Sequence, residues 1–319
     1  MSTPSKTATL EPIEAIAAAA KPRPSRLGVI AAFFAIYVIW GSTYLAIRYA
    51  VDSIPPLYTA GFRHLTAGTI LLLWAVAKGQ RPSWPQLRAS VVIGFLFFLI
   101  GHGTLHWAET QVPSGLASLL IASEPIWVFL MACAAEKRWR MNVFLLAGVV
   151  LGLAGVALLL GRDVWFAGRG VFLGAVACLV GAIGWSAGII YSRRSRLSGS
   201  PLLLSALSLL AGSVMLLTTG TIFGEYRGFS FHDVPIRSWL ALAYLIVFGS
   251  VIAFTAYNWL LEHYSPTLVA THTYINPIVA VLLGWWFAAE HVSLNVLLSA
   301  AMVIAAVFLV DRGMARLKT

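Results

Sequence analysis

The run PSGLASLLIASEPIWVFL (residues 113–130) is apolar and about one bilayer long, yet it carries Glu124-Pro125 near its centre. Proline removes a backbone donor and clashes with the carbonyl one turn earlier, so the run predicts a helix kinked at Pro125. In hydrocarbon, a freed backbone group and a carboxyl persist only where protein or water meets them. A second run, PTLVATHTYINPIVAVLL (residues 266–283), repeats the plan with Asn276-Pro277 at its centre. Two interrupted spans in corresponding halves of one chain are the mark of a binding site between repeats at the membrane midplane.

Composition agrees with a membrane setting. The 319 residues are 59% hydrophobic and 11% charged, with mean hydropathy +0.84, whereas a soluble domain carries about 25% charged residues. Strand alternation is absent, which argues against a β-barrel. Ten helical spans are expected at 28–47, 57–77, 89–107, 113–134, 142–160, 170–191, 202–222, 238–260, 266–288 and 294–311. The fold expected is therefore all-α integral membrane. The net charge of +10 is a matter of topology. With the N-terminus inside, sixteen Lys and Arg fall on the cytoplasmic side and five (Arg48, Arg162, Arg169, Arg227, Arg237) on the other, with Arg63 inside a span. This is the positive-inside pattern, with both termini cytoplasmic, and it gives no reason to invoke nucleic acid. Cys133 and Cys178 both fall within spans and read as small core residues. Residues 1–26 lack the apolar core of a signal peptide and read as a disordered cytoplasmic tail, with a second short tail at 313–319.

The chain also matches itself. At a shift of 145, Trp40 falls on Trp185, Arg48 on Arg193 and Pro56 on Pro201; at 152, Trp107 falls on Trp259 and Glu124-Pro125 on Asn276-Pro277; at 154, Glu136 falls on Glu290. Two five-helix repeats follow, at 27–161 and 169–312, and an odd number of spans per repeat inverts the second relative to the first.

WGSTYLAIR (residues 40–48), Pro56 with Gly61-Phe62-Arg63 and Ala67-Gly68, the 113–125 segment and YINPIVAVLLG (residues 274–284) together resemble the EamA-type drug/metabolite transporters, especially their YedA-like subgroup. The resemblance covers 27–312. It implies ten helices in two inverted repeats around a central cavity and, in bacteria, export of small metabolites across the inner membrane. It leaves the substrate open, and Glu124, His102 and His106 are departures from the subgroup pattern.

The residues that carry chemistry are polar groups placed inside spans. Glu124 lies about 16 Å along the helix from Pro113 and must face the bundle interior, where it is a candidate for proton coupling. The bland alternative is that it only bonds the backbone freed by Pro125. Arg63 lies about 9 Å into span two; it reads as a partner for Glu124, a bidentate site for a substrate carboxylate, or a snorkelling side chain. His64 projects about 100° away around the helix and is set apart from it. His102 and His106 share a helix face with Glu109, but a metal needs three or four ligands from more than one element, and none is recruited. They read as polar lining of the cavity. Tyr257, Asn258, His272 and Asn276 are its lining from the second repeat, and Trp40 and Trp185 are walls in equivalent positions. Pro125 and Pro277 are the kinks. Gly148, Gly152 and Gly155, and Ala301 with Ala305, offer small-residue faces for intramolecular packing or a weak homodimer. Glu225, His232 and Asp233 read as a solvated loop.

No nucleophile elbow, zinc-protease or nucleotide-binding motif is present, so neither an enzyme nor a primary pump is expected, and no cofactor. The reading is a secondary exporter of amino-acid-like or drug-like metabolites, working by alternating access within the lipid bilayer. The alternatives are a passive facilitator or channel, and an intramembrane lipid enzyme using His102, His106 and Glu109.

Overall fold

The computed structural model describes residues 25–136, 142–159, 168–195, 200–264 and 266–316. Residues 1–24 of the expected N-terminal tail (1–26) and the basic residues Lys137, Arg138 and Arg140 lie outside that set, while Ser25 and Arg26 begin the first helix. Among the described residues there are helices and turns and no strands. The helices are α1 (Arg26–Val51), α2 (Pro56–Ala77), α3 (Trp84–Ala108), α4a (Ser114–Ile121), α4b (Glu124–Glu136), α5 (Val143–Leu159), α6 (Arg169–Ser195) and α7 (Pro201–Ile222). α8 follows as Ile236–Tyr244, Leu245–Ile252 and Ala253–His263, then α9a (Pro266–Val269), α9b (His272–Ala288) and α10 (Leu294–Arg316). Eight are long and apolar enough to cross a membrane, counting α4a and α4b as one; α5 is shorter and apolar.

The ends of the helices follow from local chemistry. The Ser25 hydroxyl accepts from the Gly28 amide at 3.1 Å at the start of α1, and Asn142 Oδ1 accepts from the Leu145 amide at 3.0 Å at the start of α5. Pro56 and Pro201 open α2 and α7, where a missing N–H leaves no partner unsatisfied. The sides of the helices carry exposed Leu73, Val150, Leu282 and Trp286, as lipid contact requires.

The prolines act differently in the two interrupted spans. Span four breaks at Ala122-Ser123, so Glu124 and Pro125 open a new helix and Pro125 starts α4b without distorting it. Span nine breaks at Ala270-Thr271 and then runs unbroken through Pro277. The Asn276 amide nitrogen, turned toward the backbone, donates to the carbonyls of His272 (3.1 Å), Tyr37 (3.0 Å) and Ile36 (2.9 Å). It thereby holds the turn before the proline and ties it to α1.

Helix packing obeys the repeat. The most extensive contacts are α2 with α7 and α5 with α10. α6 packs on α3 and α4, while α1 packs on α8 and α9; α7 reaches α3 as α2 reaches α8. The pattern maps onto itself when α1–α5 are exchanged for α6–α10. Widened π-helical turns recur at Gly94–Gly103 in α3 and Leu245–Ile252 in α8, at the shift that aligns the two prolines. The first helix of each half therefore packs against the other half.

Close backbone approach comes from small residues. A Cβ at Gly148 would stand 2.9 Å from the Ala306 carbonyl and from the Val310 amide nitrogen of α10. α10 meets α5 through Val303, Ala306 and Val310, whereas Ala301 and Ala305 are exposed. The small-residue face expected at Ala301 and Ala305 is thus not the one used within the chain.

Candidate transport site

Two groups of aromatic and polar side chains stand out, one on α1, α8 and α9 and one on α3, α4 and α6. In the first, Trp40 packs on Tyr257 with ring centroids 5.2 Å apart and on His272 at 5.0 Å, and Tyr257 lies 5.8 Å from His272. The Trp40 indole N–H donates to the Gly249 carbonyl at 3.0 Å, a group left reachable by the widened turn of α8. Tyr37 and Thr271 hydroxyls bond at 2.6 Å beside the break of span nine. Asn276 holds backbone carbonyls as described, and half-buried Asn258 takes no part in the stack.

In the second group Trp185 packs on His102 at 4.6 Å and on Phe97 at 5.7 Å. Trp40 and Trp185, equivalent in the repeat, each pack on a histidine of another helix, the first edge-on and the second tilted. Ser186 Oγ donates to the Glu124 carbonyl at 3.2 Å, joining α6 to the start of α4b. The Glu124 carboxyl is half-buried, has no hydrogen-bond partner among the described residues, and lies within electrostatic reach of Tyr44 and Tyr257. At the break itself Ser123 Oγ accepts from the Trp127 indole at 3.0 Å.

Arg63 is 4% exposed and donates from Nε to Ser250 Oγ at 2.8 Å. Its electrostatic neighbours are Glu109 and Tyr44, so of the three readings given for Arg63 a pairing with Glu124 is not the one that this arrangement presents. His64, set aside in the sequence because it points away from Arg63, is fully buried against Phe98 and His102, each at 4.6 Å. Both observations have one cause: Arg63 turns toward α8 while His64 turns toward α3. Only a knowledge of which helices meet would have given His64 weight.

Two carboxylates that sequence left in loops also serve the frame. Glu290 accepts from the Ser114 amide (2.7 Å), the Ser114 hydroxyl (2.8 Å) and the Gly115 amide (3.0 Å), capping α4a from the end of α9b. Glu225 accepts from the amides of Leu57 and Tyr58 at 3.1–3.2 Å, capping α2. It is therefore a helix cap and not the solvated loop residue expected; exposed His232 and Asp233 fit that expectation. An open hollow of about 670 Å³ lies by Trp285, Trp286 and His291, away from the Trp40 and Trp185 groups. Among the described residues no three His, Cys, Asp or Glu side chains converge enough to hold a metal ion.

Comparison with known proteins fits this architecture. The model of the EamA-like transporter family matches twice, over residues 26–161 and 172–311. The chain is 36% identical over 291 residues to the inner membrane transporter YedA of Escherichia coli (strain K12), covering 90% of this chain and 92% of that one. It is 25% identical to the transporter YoaV of Bacillus subtilis (strain 168) over 89% of this chain and 95% of that one. It is 26% identical to protein PagO of Salmonella typhimurium over 87% and 90%. A solved crystal structure shares the fold at TM-score 0.62 and 21% identity, over 91% of this chain and 99% of the other. The chain, with its family domain present twice, belongs to the EamA-like transporter family.

Proposed function

We propose that this is a secondary transporter of the bacterial inner membrane that exports amino-acid-like or drug-like metabolites by alternating access, with Glu124 coupling export to protons. In this reading ten spans form two inverted repeats, 27–161 and 169–312, with both termini cytoplasmic. The substrate sits between the α1, α8 and α9 group and the α3, α4 and α6 group. Trp40, Tyr257, His272 and Trp185 offer flat apolar faces; Asn258 and Asn276 stand beside them, with Arg63, His102 and His106 deeper. Pro125 and Pro277 mark the two interrupted spans about which the groups move.

The observation that carries the reading is Glu124: a carboxyl at a helix break, half-buried, without a hydrogen-bond partner among the described residues, in a span that lipid would otherwise forbid. A group without a fixed partner is free to exchange a proton for a substrate. Aromatic faces beside a carboxylate suit a ligand with a cationic head and an apolar body. The relative named an inner membrane transporter supports the location. The lipid-enzyme alternative needs His102, His106 and Glu109 at the lipid face, and all three are buried.

The test begins with melting-temperature shifts of purified protein against amino acids, nucleobases, sugars and cationic drugs. A ligand at 100 times its Kd adds about 2.7 kcal/mol to the native state. With a hit in hand, proteoliposomes carrying Glu124→Gln should lose pH-driven uphill flux while retaining the fold. Unchanged pH dependence in that variant would overturn proton coupling at Glu124. Flux that never exceeds equilibrium in the native protein would establish a passive facilitator instead.

A further inference from the structure

Away from Glu124, His102 and His106 of α3 and Glu109 at its C-terminal cap follow at spacings of four and three. His64 of α2 closes over His102, and the His102 and His106 rings lie 5.9 Å apart. None of the four side chains is more than 8% exposed. Arg63 lies within electrostatic reach of all of them.

The hydrogen bonding of this cluster is lopsided. His106 Nδ1 pairs with the His102 carbonyl at 2.7 Å. A carbonyl only accepts, so Nδ1 carries the hydrogen and, in the neutral ring, Nε2 is a bare lone pair. That Nε2 has no partner, and neither do the two Glu109 oxygens, His102 Nδ1 or either nitrogen of His64. Arg48 donates from Nη1 to the Glu109 backbone carbonyl, not to the carboxyl. Buried polar atoms are paired in roughly nine cases of ten, and here His106 Nε2 and both oxygens of an ionised Glu109 are acceptors. What is missing is a donor.

We propose that this cluster is a proton-loading site, separate from Glu124, holding one exchangeable proton among Glu109, His106, His102 and His64. Uptake of the proton converts the Glu109 carboxylate to the acid, or one imidazole to imidazolium, and no other bond forms or breaks. The groups facing Glu109 are Arg48 and Tyr44 from α1, Arg63 from α2, Cys178 from α6 and Glu290 from beyond α9b. Two cations thus face two carboxylates, and loading one proton tips the site to net positive. A metal is disfavoured because no three ligating side chains converge among the described residues. The use of this proton in transport rests on the gradient-driven reading above; its presence does not.

The experiment is infrared difference spectroscopy of the full chain in lipid nanodiscs between about pH 5 and pH 9 in sodium-free buffer, which spans the carboxyl and imidazole ranges. A titrating carboxyl stretch should vanish in Glu109→Gln and persist in Glu124→Gln. Its midpoint should move by about one pH unit, tenfold in proton affinity, in His106→Gln and in His64→Phe. Nitrogen-15 histidine spectra of the native chain supply a readout that needs no variant: the fractions of protonated carboxyl and of imidazolium gained over the titration should sum to one proton. The proposal is overturned if Glu109→Gln removes no titrating band, if the histidine variants leave its midpoint unmoved, or if sodium at constant pH displaces the band. An unchanged pH profile of transport in Glu124→Gln would sink that residue's coupling role and leave each of these outcomes readable.

Discussion

Ala289 is the non-glycine residue with positive φ (52°) among the described residues, and it sits immediately before Glu290. It ends α9b in the left-handed region, which costs a residue with a Cβ about 1–2 kcal/mol. The turn brings the Glu290 amide to the Gly284 carbonyl at 3.1 Å and its carboxylate onto the start of α4a. Ala289→Gly should therefore raise stability by about 1 kcal/mol, and Glu290→Ala should lower it by about 1–3 kcal/mol because two amides lose a charged acceptor. Thermal unfolding in detergent reads both, and a destabilised glycine variant would refute the strain. Glu225 makes a pH prediction. Burial holds its carboxyl above the ordinary 4.5, with the Leu57 and Tyr58 amides pulling the other way. The native state then binds more protons than the unfolded chain just above that value, so stability falls as pH rises through the window. Glu225→Gln should flatten that fall, and parallel melting curves against pH would count against it. Sequence showed neither cap, because both join residues more than 160 positions apart. By contrast, Glu124 and Asn276 were legible because a polar residue before proline in an apolar run is conspicuous without any knowledge of contacts.

At the scale of the element, the prolines announced two interrupted helices and the structure has two. The sequence put both breaks at the prolines, whereas they lie before them, at Ala122-Ser123 and Ala270-Thr271; the second is the farther off because sequence has no view of Asn276 reaching back to His272 and across to α1. The widened turns in α3 and α8 were not legible either, since an i→i+5 backbone bond leaves no mark in hydropathy. Small residues were read better on α5 than on α10: Gly148 allows a close helix approach as expected, with α10 as the helix that approaches, whereas Ala301 and Ala305 are exposed. Gly148→Ala should destabilise by about 1–3 kcal/mol, because the added methyl meets backbone that cannot rotate away. Ala301→Leu should cost little by comparison. Equal melting temperatures for Gly148→Ala and the native chain would mean that α5 and α10 are less closely apposed.

For the molecule as a whole, internal similarity and the doubled family match agree on two copies, and the helix packing maps one copy onto the other. What sequence did not disclose is that the packed groups differ from the chain halves: α1 belongs with α8 and α9, and α6 with α3 and α4. Residues 1–164 and 165–319, made as separate chains in one cell, should therefore copurify in equal amounts. Either one folding alone as a monomer would contradict the exchange. A gene for a single copy would have reached this same architecture as two identical chains, each lending its first helix to the other. In one chain the two copies keep these seats while carrying different sequences. Acid at position 124 and amide at 276 is one such difference: a one-sided charge inside a doubled frame.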